Sequence, residues 1–298
     1  MKMIRYIACA MCIFICATPG FAYRGPQVWF YTGASNTGAY NPVEMYPGGV
    51  IKYYVTPSLR DVSVDLDGTT HHVNLEQMTQ DAMQAWHERA PRLTFQQVNT
   101  REEANYLVTP EDDALTLADA RPRQPRYHEQ AQLRYHLGGI SGVIRTLRPD
   151  TMPERDYPEI REVLDVVLRT AAEHEIGHTL GLAHPNLEHS NNPRARIFEL
   201  NQTTDRVHLM TGDLRDFLRD LRADLGRAPR LADIRPAPEE VTALNIVIDN
   251  PPRQTEQGYC EAAQRFKRSA ASNSRLCMTH VNVLAQMSAP INNLLLLQ

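Results

Sequence analysis

The 298-residue sequence is poor in cysteine, and three of its five, Cys9, Cys12 and Cys16, fall within the first 16 residues. A dense disulfide framework is therefore excluded, as is any metal site built on clustered thiolates. Charge of one sign is also missing. With a formal net charge of −4 and 22% charged residues, the chain has no basic excess of the kind that tracks a phosphate backbone, so nothing points to nucleic acid. Long apolar runs are absent. The longest spans about residues 6–18 and falls short of the roughly 20 needed to cross a bilayer, while Leu294–Leu297 is four residues long. No internal repeat is visible, which sets aside solenoid architectures.

What is present begins with a start that resembles a secretory signal. Lys2 and Arg5 precede the apolar run, and Gly20-Phe21-Ala22 offers small residues at the −3 and −1 positions, so residues 1–22 are expected to be removed after Ala22. That makes the protein secreted, extracellular or periplasmic. Cys260 and Cys277 then remain in an oxidising compartment, where they form a disulfide or stay as two free thiols; a bond would add about 3 kcal/mol by loop entropy. The expected layout is an irregular N-terminal segment or short pro-segment over 23–49, a main domain over 50–250, and a C-terminal extension over 251–298.

The strongest signal lies at residues 174–184, HEIGHTLGLAH. His174 and His178 are four apart, so a helix presents both on one face, where they can grip one ion. Glu175 follows the first of them and can serve as a general base without being a ligand. Gly181 lets the chain leave the helix at positive φ, and His184 returns as a third ligand. Three imidazoles leave one position open on a tetrahedral zinc, as a catalytic site requires. The blander reading is a histidine-rich helix end, and the full pattern would arise by chance in about a few shuffled chains per hundred thousand.

Around this motif, Val50–Thr56 reads as a strand. Asn74 caps a helix over Leu75–Arg89 that Pro91 ends, and Leu93–Val98 and Ala104–Thr109 read as strands. Residues 110–136 are expected to form a long surface loop, and Ile140–Leu147 a further strand. Ile160, Leu164, Val167, Ala171, His174 and His178 share one helix face, so an apolar stripe runs into the ligands. Leu187–Val207 is expected to be a polar loop. A second amphipathic helix follows through Leu214, Phe217, Leu218, Leu221 and Leu225, and a last one starts at Pro238. His71-His72 reads as a solvated loop pair, and His189 and His208 as surface residues.

The 174–184 segment resembles the zinc signature of the metzincin metalloproteases, closest to the matrixins. Met210, in His208-Leu209-Met210-Thr211-Gly212, matches the methionine that such proteins carry in a tight turn below the metal; plain core packing is its alternative role. The resemblance covers roughly residues 50–250. It implies an α+β catalytic domain with a twisted mixed sheet, two long helices, and a smaller C-terminal lobe holding the Met-turn and a final helix. It also implies Zn²⁺ on His174, His178 and His184, with Glu175 activating the zinc-bound water in a secreted, monomeric endopeptidase acting on protein or peptide substrates. The sequence departs from the family in having Thr211 and Gly212 where a proline usually follows. It also lacks a cysteine-switch pro-segment and has a long stretch over 213–235. Residues 211–217 are expected to wall the pocket beside the scissile bond, and Ile140–Leu147 to be the edge strand that pairs with substrate. Calcium near Glu111-Asp112-Asp113 is possible but not indicated. Two other functions fit the same motif: a secreted zinc protein that binds a peptide or cell-envelope ligand, and a zinc hydrolase of non-peptide amides.

Overall fold

The computed structural model describes residues 27–31, 38–39, 42–113, 116–123, 130–148, 151–157, 159–184, 195–199 and 207–249. The signal-like segment, His189, the 251–298 extension and the Cys260–Cys277 pairing lie outside the described residues. In chain order the elements are β1 (Gln27–Tyr31), β2 (Gly38–Ala39), α1 (Pro42–Met45), β3 (Val50–Val55), β4 (Val62–Leu66), β5 (Thr69–Val73), α2 (Leu75–Arg89), β6 (Thr94–Gln97), β7 (Tyr106–Glu111), β8 (Ala118–Arg121) and β9 (Ala131–His136). There follow α3 (Ile140–Leu147), α4 (Ile160–Thr179), β10 (Leu182–Ala183), β11 (Ala195–Glu199), α5 (Leu214–Leu225) and α6 (Pro238–Asp249).

The main sheet has the order β6-β3-β7-β9-β8. β6, β3, β7 and β9 are parallel, and β8 closes one edge antiparallel to β9. Parallel strands need crossovers, and α2 supplies the one between β3 and β6. Its buried residues Leu75, Thr79, Ala82, Met83 and Trp86 recur at helical spacing, and Asn74 caps it by accepting the Gln77 N–H at 2.9 Å. α2 packs on α4, and α4 lies across β8 and β9. Three ties join these layers. The Thr79 and Tyr135 hydroxyls meet at 2.8 Å, Trp86 Nε1 donates to the Glu173 carbonyl at 2.9 Å, and Arg169 reaches the Asp81 carbonyl at 2.7 Å.

Several expectations need correction. Ile140–Leu147 is a helix. Its buried residues Ile140, Ile144 and Leu147 are spaced by four and three, a helical period that outweighs the strand preference of Ile and Val. The supposed surface loop over 110–136 contains β8 and β9. In β9, Ala131, Leu133 and Tyr135 point into the core while Gln132 and Arg134 are only partly buried, a period of two hidden among charges. Residues 23–49 hold β1, β2 and α1, and β11 lies within the stretch read as a polar loop. β4 and β5 form a hairpin whose turn residues Asp67 and Gly68 have φ of 52° and 79°. Both are positive, as an Asp-Gly type I′ turn demands. His71 and His72 therefore sit on a strand, with His72 Nδ1 2.7 Å from Asp61 Oδ1.

Trp86 is wholly buried where α2 meets the middle of α4. Trp86→Ala should cost about 3–5 kcal/mol in denaturant unfolding. Trp86→Phe should cost less, with the loss coming chiefly from the indole N–H bond to the Glu173 carbonyl, which keeps its helical donor.

Candidate metal centre

α4 ends at Thr179, and Gly181 turns the chain at φ 101°, as its place in the motif predicts. The two residues of β10 follow, and His184 comes directly after them. β10 is held by β1, with Gln27 opposite Ala183 and Val28 opposite Leu182. The strand carrying the third histidine thus depends on a segment that reads as irregular in the sequence.

The three rings converge. His184 Nε2 lies 3.0 Å from the Nε2 atoms of both His174 and His178. Among the described residues, these three form the one cluster able to hold a metal ion. Their other nitrogens explain the orientation. His174 Nδ1 is 2.7 Å from the Leu209 carbonyl oxygen, and His178 Nδ1 is 2.8 Å from that of Leu182. A carbonyl oxygen only accepts, so each ring carries its proton on Nδ1 and turns the Nε2 lone pair inward. Burial first, then the neighbouring His184, pushes the His174 pKa down to about 4. His178 is held well below its usual value by burial and by the other two rings, and His184 is lowered by burial. All three are neutral at neutral pH, the form that binds a metal. The N···N spacing is near the roughly 3.3 Å expected for ligands on one tetrahedral zinc at about 2.0–2.1 Å. The donor set therefore fits zinc.

Glu175 is half-buried beside this cluster. Burial, followed by the negative charge of Asp119 on β8, pushes its carboxyl well above the ordinary range. Glu173, one residue before the first histidine, is fully buried and bonded to Arg169. Its pKa rises to about 8, mainly through burial that Arg169 offsets in part.

Below the helix, residues His208–Thr211 form a turn closed by the Thr211 N–H on the His208 carbonyl at 3.1 Å. Met210 is buried against Gly177, where an added Cβ would run into its sulfur and come within 3.0 Å of Trp86. Glu240, on α6, holds the turn from the other side. Its carboxylate accepts the Met210 N–H at 2.6 Å and the Ala237 N–H at 2.7 Å. Burial pushes Glu240 up to about 7 despite these donors. At Gly212 an added Cβ would lie 3.3 Å from His184 Nδ1, so a larger side chain would press on the third ring.

Sequence reasoning left out Gly177, Glu240 and β1. A glycine inside a helix that favours Ala by about 1 kcal/mol was the available sign for the first. His208, expected at the surface, is buried, and neither ring nitrogen has a hydrogen-bond partner among the described residues. Phe217 is core. The start of α5 nevertheless borders a cavity of about 530 Å³, with Asp213 and Leu214 facing Gly139, Gly142, Val143 and Leu147 of the α3 region. Two of the three acidic residues suggested for calcium have partners within the chain: Arg134 meets Glu111 at 3.4 Å and His136 Nδ1 meets Asp113 at 2.6 Å.

Two measurements test this arrangement. Gly177→Ala should overpack Met210 and Trp86, costing about 1–3 kcal/mol of stability and weakening zinc in a competition titration. His208 is pushed down to about 4 by burial from an ordinary 6.5, so the folded state excludes its proton. Stability from this residue is present above pH 6.5 and lost as pH falls from there toward 4. His208→Leu should flatten the curve over that window, relative to the parent, by up to about 3 kcal/mol.

No protein-family model matches the sequence, and a search of curated proteins finds no relative. Among solved structures, a chain of the ECX AB5 holotoxin in its GM1-bound form is similar at a TM-score of 0.57 and 22% identity, over 76% of this chain and 92% of that one. The likeness is one of fold. Archaemetzincin from Methanopyrus kandleri is matched over 68% of this chain and 98% of its own, at 14% identity and a TM-score of 0.32, too loose to carry an argument.

Proposed function

We propose that the chain is a secreted zinc endopeptidase of the metzincin type, matrixin-like in its motif. The observation that carries the reading is the convergence of three neutral Nε2 atoms within HExxHxxGxxH, above a turn that seats Met210 under the same helix. His174, His178 and His184 would hold Zn²⁺, which when bound polarises a carbonyl and makes water more acidic. Glu175 would take a proton from the attacking water and pass it to the leaving amine. Its place one residue after the first histidine, beside the cluster, suits both halves of that exchange, since a general acid–base must lie within reach of the proton it moves.

With Ile140–Leu147 helical, the part of substrate-pairing strand passes to β8. It lies at the edge of the sheet, packs on α4, and among the described residues pairs on one side only. An extended peptide added there would gain main-chain hydrogen bonds with little demand on its sequence. The cavity between α3 and the start of α5 would take a side chain next to the scissile bond, its other wall being α3 rather than a strand. Export rests on the sequence of residues 1–22. Among the described residues no helix is long and apolar enough to cross a membrane.

Glu175→Gln should keep zinc, measured by elemental analysis, yet cleave denatured casein about 10²–10⁴-fold more slowly. Chelation should abolish cleavage and added zinc restore it. Casein hydrolysis by Glu175→Gln at the parental rate would rule out the mechanism. A parent protein that binds zinc and a peptidyl hydroxamate but cleaves nothing would instead favour a ligand-binding role.

A further inference from the structure

β8 is short for the task given to it. It has four residues, its edge is bare on one side, and only β9 pairs with it among the described residues. A strand of that length has few ladder bonds to hold its position. What supplements them is a charged array centred on Asp119. Asp119 stands opposite Arg134 in the register, and the guanidinium grips it with two prongs, Nε on Oδ1 at 2.7 Å and Nη2 on Oδ2. His136 Nε2 lies 3.2 Å from that second oxygen. The same two side chains reach back to Glu111 at the end of β7 and to Asp113 just beyond it. One connected set of side chains thus spans β7, β8, β9 and the segment leaving β7.

Strand alternation puts this array on the face turned away from the helices. Leu133 and Tyr135, which flank Arg134, are fully buried, and the Tyr135 hydroxyl bonds to Thr79 on α2. Arg134 therefore points the other way, and Ala118 and Ala120 are the β8 residues directed at α4. Their small side chains let the strand lie close to the zinc helix. The array is not part of that packing. Partly exposed ion pairs add little to stability, but a two-pronged arginine–carboxylate contact fixes orientation well.

We infer that the Arg134–Asp119–His136 array is a positioning device: it holds β8 at the height and register where a substrate strand adds, without taking part in the chemistry. The inference rests on the endopeptidase reading and on β8 as its substrate strand. Each main-chain hydrogen bond to an added peptide is weak, so an edge strand that must be ordered on binding loses affinity to the ordering cost. A pinned strand avoids that loss.

The test uses the full zinc-loaded protein and separates strand binding from metal binding. For Asp119→Asn the Michaelis constant for denatured casein should rise about tenfold. Because the Asp119 charge also raises the Glu175 carboxyl, kcat is compared at each protein's own pH optimum, where it should stay within about twofold of the parent. Inhibition by a peptidyl hydroxamate long enough to pair with β8 should weaken by a similar factor, while acetohydroxamate, which reaches only the metal, should inhibit as before. Arg134→Lys keeps the charge but loses the fork, and should give a smaller rise of the same kind, so the test survives if Asp119→Asn does not fold. An unchanged Michaelis constant with lowered Tm would overturn the inference and leave a structural ion pair. Weaker inhibition by acetohydroxamate with a fallen kcat would also overturn it, placing Asp119 in the chemistry. If the parent binds both hydroxamates but cleaves no casein, the protease reading fails, and the hydroxamate ratio still decides the role of the array.

Discussion

Two backbone carbonyls set the geometry of the three-histidine cluster. A histidine on a helix can rotate about its side-chain bonds, and three neutral rings with bare lone pairs facing one another would rather turn apart. The Leu209 and Leu182 carbonyls prevent this by accepting the Nδ1 protons of His174 and His178. One carbonyl belongs to the turn that carries Met210 and the other to the short strand that delivers His184. Both lie in polypeptide outside the helix, so the convergence of the rings depends on the chain folding back under and beside α4. The rest of the lower part of the molecule can be understood as what keeps those two carbonyls in place.

For the Leu209 side, that support is costly. Glu240 is fully buried and sits under a turn that needs its backbone N–H groups satisfied, and its two oxygens serve Met210 and Ala237. Glu173, also fully buried, is bound by Arg169, which in turn ties α4 to α2 through Asp81. Buried carboxylates of this kind are weak contributors to net stability, since desolvation offsets much of what the donors return. Both have pKa values raised by burial, which is that desolvation cost. For the Leu182 side, the support is main-chain pairing with β1, which costs no charge burial.

How much of this could be read from the sequence follows from the range of each interaction. The histidines, the positive φ of Gly181, and α4 and α2 with its Asn74 cap were legible because each is set by neighbours within about two helical turns. The turn at Met210 was legible through its resemblance to a family pattern and not through local periodicity. α3 was misread because Ile140, Val143 and Ile144 favour strands, while the burial that decides the matter comes from packing against β4 and α4. β8 and β9 were hidden because Asp119, Arg134 and His136 look like solvent-facing residues. They are instead a cross-strand network, and their partners lie more than a dozen residues away. The hairpin turn at Asp67-Gly68 is a local signal, an Asp-Gly pair between two short β-prone stretches. The support of β10 by β1 joins residues some 150 positions apart, which no local pattern announces.

The helical form of residues 140–147 removes the strand expected there. It also brings Gly139, Gly142 and Val143 opposite Asp213 and Leu214, so the stretch after the Met210 turn faces a helix across a cavity. Gly142 is the open position in that wall, since a Cβ built there meets nothing within 4 Å. A side chain introduced at Gly142 would grow into the cavity without disturbing the core, whereas one at Gly212 would press on His184. The cavity wall at Gly142 can therefore vary in size, while the position beside His184 cannot. Cavity shape and the geometry of the histidine cluster are in this way carried by different residues, Gly142 on α3 and Gly212 after the Met210 turn.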